Sequence, residues 1–290
     1  ALSYLDASLN RIQEIDLSRN MELAELSLGY NSIGELDLSG HDKLVKLSAS
    51  SNALTKIDVS GCQRLENLNI DDNQLRSLDL SSNEVLGVLS ANDNAIQVLD
   101  LSHNPLIRVA NCERNSLATC DTDGCAELLM LCVESNELSS LDLSTNKSLS
   151  ELYAAKNNLA KVDLAGLSLL SICELYDNRL ERIKLDGCTS ISELYLHNNK
   201  LAYLSTRDCE AMRQLDCRNN LLKSLDLSNN ISMSFLFATE NPLMTVVYIN
   251  EKSDYNTISV DENVEVLYRT PGDFDDVSGD WGDDDIDPWK

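Results

Sequence analysis

Counting in steps of 21 from Asn10 reaches Asn31, Asn52, Asn73, Asn94, Asn115, Asn136, Asn157, Asn178, Asn199, Asn220 and Asn241, so twelve positions in strict register carry one residue. Two residues after each stands Leu or Ile, from Ile12 to Leu243, and five before each stands an apolar residue, from Leu5 to Leu236. The repeated unit is LxxLxxxxNxLxxLDLSxNxxL. A period of this kind constrains the chain more than any single motif, because one short coil cannot bury its own leucines and needs neighbours above and below. Alternation of apolar and polar letters ahead of each Asn predicts one short strand per coil. Strands on successive coils then pair in parallel at about 4.8 Å, making a sheet on the order of 50 Å long. The asparagine falls where the chain leaves that strand and bends inside the core. Its amide has two N–H donors and a carbonyl acceptor, which suits backbone groups that the bend strands away from water.

The unit resembles the leucine-rich repeat, L-x-x-L-x-L-x-x-N-x-L. The expected architecture is a leucine-rich repeat solenoid, α/β in class but mostly β with turns, of about 12 coils of 21 residues over 1–249. Its parallel sheet forms the concave face. "MTVVYI", "YNTISV" and "VEVLYR" read as short strands, which makes 250–270 a C-terminal β cap over the edge of the last coil. Residues 271–290 form an acidic tail with eight aspartates and one lysine, a composition that predicts disorder unless Phe274, Trp281 and Trp289 dock on the solenoid.

The second half of the unit repeats an aspartate six residues after the Asn, at Asp16, Asp37, Asp58, Asp79, Asp100, Asp121, Asp142, Asp163 and Asp226. A ladder of carboxylates raises calcium. Turn formation accounts for it better, since Asp and Ser bond backbone N–H groups one or two residues onward, and calcium repeats carry glycines and more oxygens per turn. Ten residues after the repeat Asn the chain spells Asn20, Asn83, Asn104, Asn146 and Asn230, but His41, Cys62, Cys125, Leu167, Cys188 and Cys209 elsewhere. Gly40, Gly61, Gly124, Gly166 and Gly187 precede five of those six substitutes. The expectation is that Asn holds this corner by side-chain hydrogen bonds, whereas the other copies need a backbone that glycine tolerates.

Eight of the nine cysteines occupy core letters, and Cys132 alone falls on an outward strand position. Cysteine in a core is a small hydrophobe, so free thiols are expected even for Cys188 and Cys209, which sit one coil apart at the corner. No CxxC has zinc spacing, and no cofactor is called for. The three histidines lie apart in the repeat, at a corner (His41), in a turn (His103) and on the strand face (His197). Without a nucleophile, base and orienting group in one place, no enzyme is expected.

The 21-residue unit with LDLS in its second half and cysteines in core positions is similar to bacterial surface leucine-rich repeat proteins of the internalin family, most of all to cysteine-containing repeats of the internalin J type. The resemblance covers residues 2 to about 249. It implies an extracellular or cell-surface adhesion or host-recognition module. The chain opens in mid-repeat at Ala1, so a leader and cap are expected to precede it. A net charge of −25 argues against nucleic acid and anionic membrane surfaces as partners. No apolar run approaches the roughly 18 residues that span a bilayer.

Residues six, four and two before each Asn face the concave side and are left free by the core. Early coils place small or polar groups there, such as Ser48 and Asn69. Later coils place Tyr153, Glu174, Tyr176, Glu193, Tyr195, His197, Arg218, Phe235 and Phe237, the candidate ligand-binding residues. Phe235 and Phe237 have an alternative role in packing under the C-terminal cap. The functional expectation is a non-enzymatic binding or adhesion module that recognises a protein or glycan through this face. A structural or self-assembling surface protein, and a targeting domain of a larger protein, are the alternatives.

Overall fold

The structure, a computed structural model, describes residues 1–270, and the expectations for the acidic tail fall outside the described residues. Thirteen short parallel strands, one per coil, form a single sheet that begins at Tyr4–Asp6 and ends at Thr257–Ser259. The partner of each residue lies 21 positions on, as with Leu5 and Leu26 or Leu194 and Leu215. The last step is longer, since Phe235 pairs with Thr257. No helix occurs among the described residues. Smaller parallel sheets form from the second half of some coils, the largest from Ser224–Leu227, Val246–Ile249 and Glu265–Tyr268. The three C-terminal segments read from the sequence thus extend both layers of the solenoid. At that end Arg269 donates to Asp226 Oδ2 at 2.9 Å and lies 4.4 Å from the Tyr248 ring.

The core is one continuous leucine column between the layers. In the second coil Leu26, Leu28, Ile33, Leu36 and Leu38 are all buried, and the same letters repeat coil after coil. The repeat asparagine is the polar element inside it. From Asn31 to Asn241 each copy accepts, through Oδ1, the N–H of a residue 19 positions earlier at 2.8–3.1 Å. Through Nδ2 each donates to a carbonyl 24 positions earlier at 2.9–3.0 Å. The asparagine therefore ties each coil to the one before it, as well as satisfying its own bend. The residue immediately before it adopts a left-handed backbone in all twelve copies, with φ between 50 and 62°, and none of these is glycine. Such a conformation costs about 1 kcal/mol or more for an L-residue, and the fixed side-chain bonds of the asparagine hold it in place.

A second row of ties runs along the corner. Asn83 Nδ2 donates to Val59 O at 3.0 Å and Cys62 O at 2.9 Å, and Asn104, Asn146 and Asn230 repeat the arrangement. These bonds reach the preceding coil, so the corner amide joins coils and does not brace its own bend as the sequence suggested. Cys125 and Cys188 stand in for it, their thiols 3.2 and 3.0 Å from the carbonyls of Leu101 and Leu164. Gly40, Gly124, Gly166 and Gly187 have φ of 73–79°, which accounts for glycine at those corners, whereas Gly61 is not left-handed.

The aspartates serve turns. Oδ1 of Asp16, Asp37, Asp58, Asp79, Asp100, Asp121, Asp142, Asp163 and Asp226 accepts the N–H two residues on at 2.9–3.0 Å. All nine cysteines are free thiols. Cys132, outward on its strand, is nevertheless only 6% exposed, between Asn111 and Tyr153 on the neighbouring strands. Burial pushes the Cys62, Cys125 and Cys188 thiols up to about 11 and those of Cys120, Cys132 and Cys209 to about 12.

Candidate binding site on the concave sheet

The three-residue strands fix the direction of the side chains that could meet a ligand. The central residue of each points into the core, and the two beside it point out. In the early coils Ser27, Lys46, Ser48, Asn67, Asn69 and Ser90 line a shallow groove together with Val88. From the eighth coil the surface changes character. Tyr153 pairs in register with Glu174, and Glu174 with Tyr195. The Tyr153 hydroxyl donates to Glu151 Oε2 at 2.8 Å, the Tyr195 hydroxyl to Glu193 Oε2 at 2.8 Å, and Gln214 Nε2 to the Tyr195 oxygen at 3.0 Å.

In the row two residues before the repeat Asn, the Tyr176 and His197 rings stack at 4.6 Å with 6° between planes. Lys156 lies 5.5 Å from the centre of the Tyr176 ring and 2.7 Å from Glu134 Oε1. Asp216 is 4% exposed, and Arg218 compensates its burial with two bonds of 3.0 and 2.6 Å. His197 Nδ1 lies 3.3 Å from the same carboxylate without hydrogen-bond alignment. The Arg218 guanidinium also sits 5.6 Å from the Phe237 ring, while Phe235 remains 37% exposed.

Burial, reinforced by Glu134, Glu193 and Glu113, raises the Glu174 carboxyl above the usual range, with Lys156 opposing. Burial and then the bond to Glu193 push the Tyr195 phenol up to about 12, and burial with Glu151 raises Tyr153 further. Both hydroxyls therefore remain protonated donors at neutral pH.

Glu174, Tyr176, Tyr195, His197, Arg218 and Phe237 line one open depression together with Gln214 and Asp216. Tyr153 and Glu193 belong to its flank, and Phe235, on the same strand as Phe237 and paired with Gln214, is not in its lining. Sequence reasoning passed over Gln214, although its place six residues before Asn220 was sufficient signal. It had no signal for Lys156, which precedes the repeat Asn and reaches the face from the left-handed turn.

Elsewhere Ser102 Oγ donates to Asp100 Oδ1 at 2.7 Å and lies 3.1 Å from His103 Nδ1. The carboxylate there holds the serine instead of the imidazole, which is the wrong order for a relay that activates a hydroxyl. Among the described residues no group of three or more His, Cys, Asp or Glu gathers as a metal site, and no helix is long and apolar enough to cross a membrane.

No protein-family model and no curated protein matches the chain. Solved structures do. The functional domain of InlJ from Listeria monocytogenes, described as including a cysteine ladder, aligns with a TM-score of 0.77 and 26% identity over 92% of this chain and 62% of that one. The internalin InlF from Listeria monocytogenes aligns with a TM-score of 0.59 and 15% identity over 92% and 86%. A plant peptide hormone receptor, RGFR1 in complex with RGF2, aligns with a TM-score of 0.59 and 18% identity over 81% and 48%. The chain thus spans about three fifths of the InlJ domain and about half of the receptor.

Proposed function

We propose that this leucine-rich repeat solenoid, similar to internalin J, is a non-enzymatic binding module that takes a protein partner on the concave face of its late coils, outside the bacterial cell. One observation carries the reading. The repeat letters are accounted for by burial and by ties between coils, but the aromatic and charged rows from Tyr153 to Phe237 are not, and they gather over successive coils. Aromatic side chains with two torsions supply contact area at modest entropic cost and are enriched at binding hot spots. Carboxylates beside them favour a partner with basic groups, which proteins carry more often than glycans do. The extracellular setting rests on the resemblance to bacterial surface proteins. That a peptide hormone receptor shares the fold is a precedent for a ligand of this class.

The test is selection of a displayed random peptide library on the immobilised protein. Tyr176→Ala and Tyr195→Ala should each weaken the selected peptides by about tenfold or more. Paired Ser48→Ala and Asn69→Ala on the early coils, and Val98→Ala in the second layer, should leave binding unchanged. Equal losses from these controls, or none from the tyrosine changes, would overturn the reading.

A further inference from the structure

Within the late-coil surface lies a small symmetric arrangement. The tripeptide ELY occurs at 151–153 and again at 193–195, two coils apart, with Ile172 and Glu174 between the copies in the same rows. One row reads Glu151, Ile172, Glu193, and the next reads Tyr153, Glu174, Tyr195. Each tyrosine hydroxyl is turned to the glutamate of its own strand, so neither serves Glu174. The Glu174 carboxylate, half-buried, accepts no hydrogen bond from any described residue, although its backbone carbonyl accepts from the Ala154 N–H. The cations nearby are engaged elsewhere: Lys156 with Glu134 and the Tyr176 ring, Arg218 with Asp216 and the Phe237 ring.

Dimensions decide what could lie over Glu174. At about 4.8 Å per coil, the Tyr153 and Tyr195 strands are roughly 10 Å apart, so a group centred above Glu174 lies about 5 Å to the side of each tyrosine's strand, a spacing compatible with the roughly 6 Å reach of cation–π attraction. A carboxylate floor repels an anion. An apolar occupant would leave a half-buried carboxylate without a partner, and a neutral donor would leave its charge uncompensated; both are less favourable than a cation. The tyrosine oxygens are turned aside, and no metal-binding group forms among the described residues.

We infer that Tyr153, Glu174 and Tyr195 form a slot for one cationic side chain, an arginine in preference to lysine, of a basic protein segment lying along the concave face. This rests on the concave-face reading above and specifies its ligand. Guanidinium is preferred because it is flat, stacks on aromatic faces and can give two N–H bonds to one carboxylate. Glu151 and Glu193 on either side extend the same charge preference to neighbouring residues of the segment. A chain of net charge −25 also attracts any basic peptide diffusely, an effect screened over about 8 Å at physiological salt. The experiment must separate the slot from that background.

The probe is a fluorescein-labelled heptapeptide of alternating arginine and serine, with a citrulline counterpart of the same shape and no charge. Anisotropy at physiological salt is measured on the full chain and on Glu174→Gln, on paired Tyr153→Leu and Tyr195→Leu, and on Glu84→Gln, an exposed acid at a turn that matches the charge change. Glu174→Gln and the tyrosine pair should each weaken binding by about tenfold. Glu84→Gln should stay within about twofold, a change that screened charge alone allows, and citrulline should abolish binding. Unchanged thermal midpoints establish that the variants fold, and should the tyrosine pair unfold, the near-isosteric Glu174→Gln decides alone. Absence of binding to the wild type, or equal losses from Glu174→Gln and Glu84→Gln, overturns the slot. If library-selected peptides still require Tyr176 and Tyr195, the broader concave-face reading survives that result; if they ignore those tyrosines, it fails separately.

Discussion

The side-chain oxygen of Asn136 accepts the backbone N–H of Leu117, 2.8 Å away in the preceding coil. Its amide nitrogen donates to the carbonyls of Cys112, Val133 and Glu134 at 2.9, 3.0 and 3.2 Å, so one buried side chain satisfies backbone groups of two coils. Asn136→Ala leaves the Leu117 N–H without a partner, while the three carbonyls keep Asn115, Asn157 and Arg114 as donors. At roughly 1–3 kcal/mol for an unsatisfied buried group, the expected loss is about 1–3 kcal/mol in denaturant unfolding. Hydrogen exchange should quicken on both sides of the change, at Leu117 as well as near residue 136. Exchange confined to the mutated coil would contradict the role as a tie.

His41 occupies the corner position where other coils use an amide, is 1% exposed, and has no hydrogen-bond partner for either ring nitrogen among the described residues. His41→Asn should restore the row of ties and stabilise the fold by about 1 kcal/mol. The preceding Gly40, at φ 79°, can remain as it is. A lower thermal midpoint would show that the imidazole contributes packing that the amide cannot replace.

Tyr30 holds a left-handed φ of 58° with 61% of its surface exposed. Tyr30→Gly removes the steric cost of that conformation but adds freedom to the unfolded chain. The net expectation is stabilisation of about 0.5–1 kcal/mol, read as a raised midpoint in urea. Destabilisation would mean that the ring contributes more than its exposure suggests.

Acid should act through the turns. The Ser hydroxyl and N–H two residues on hold Asp16, Asp37, Asp58, Asp79 and Asp100 below the ordinary 3.8, and for Asp142 the Ser144 N–H is the larger cause. A carboxyl whose folded pKa is depressed stabilises the fold above the unfolded value and loses that contribution as pH falls through the folded one. The thermal midpoint should therefore fall as pH drops below about 4, and less steeply with Asp58→Asn and Asp79→Asn together. An identical pH profile in the double variant would exclude these turns as the cause. Millimolar calcium should leave the neutral midpoint where it is, because the carboxylates are already committed to N–H groups.

The parts of the fold that depend on burial were legible in the chain. Leu26, Leu47 and Leu68 repeat because a coil stack tolerates nothing polar at that site, and Asn73 repeats because only an amide serves both donors and acceptors there. The left-handed turn left no letter behind. Its twelve residues range from Leu9 to Glu240, since the turn exposes the side chain and the following asparagine bears the constraint. Lys156 was missed for this reason. The burial of Cys132 was hidden too, because it depends on the size of Tyr153 one strand away and not on its own place in the repeat.

A consequence for descent follows from the step of 21 that separates partners along the long sheet. Recombination that removes or duplicates one repeat's worth of codons leaves each asparagine opposite a suitable carbonyl, so the interior is indifferent to the event. The surface is not. Loss of the coil that carries Glu174 would set Tyr153 directly beside Tyr195 and Glu151 beside Glu193, turning a spaced pair of aromatic walls into a contact and two separated carboxylates into repelling neighbours. Lineages of such a chain can thus change what they recognise in whole-coil jumps without crossing an unfolded intermediate.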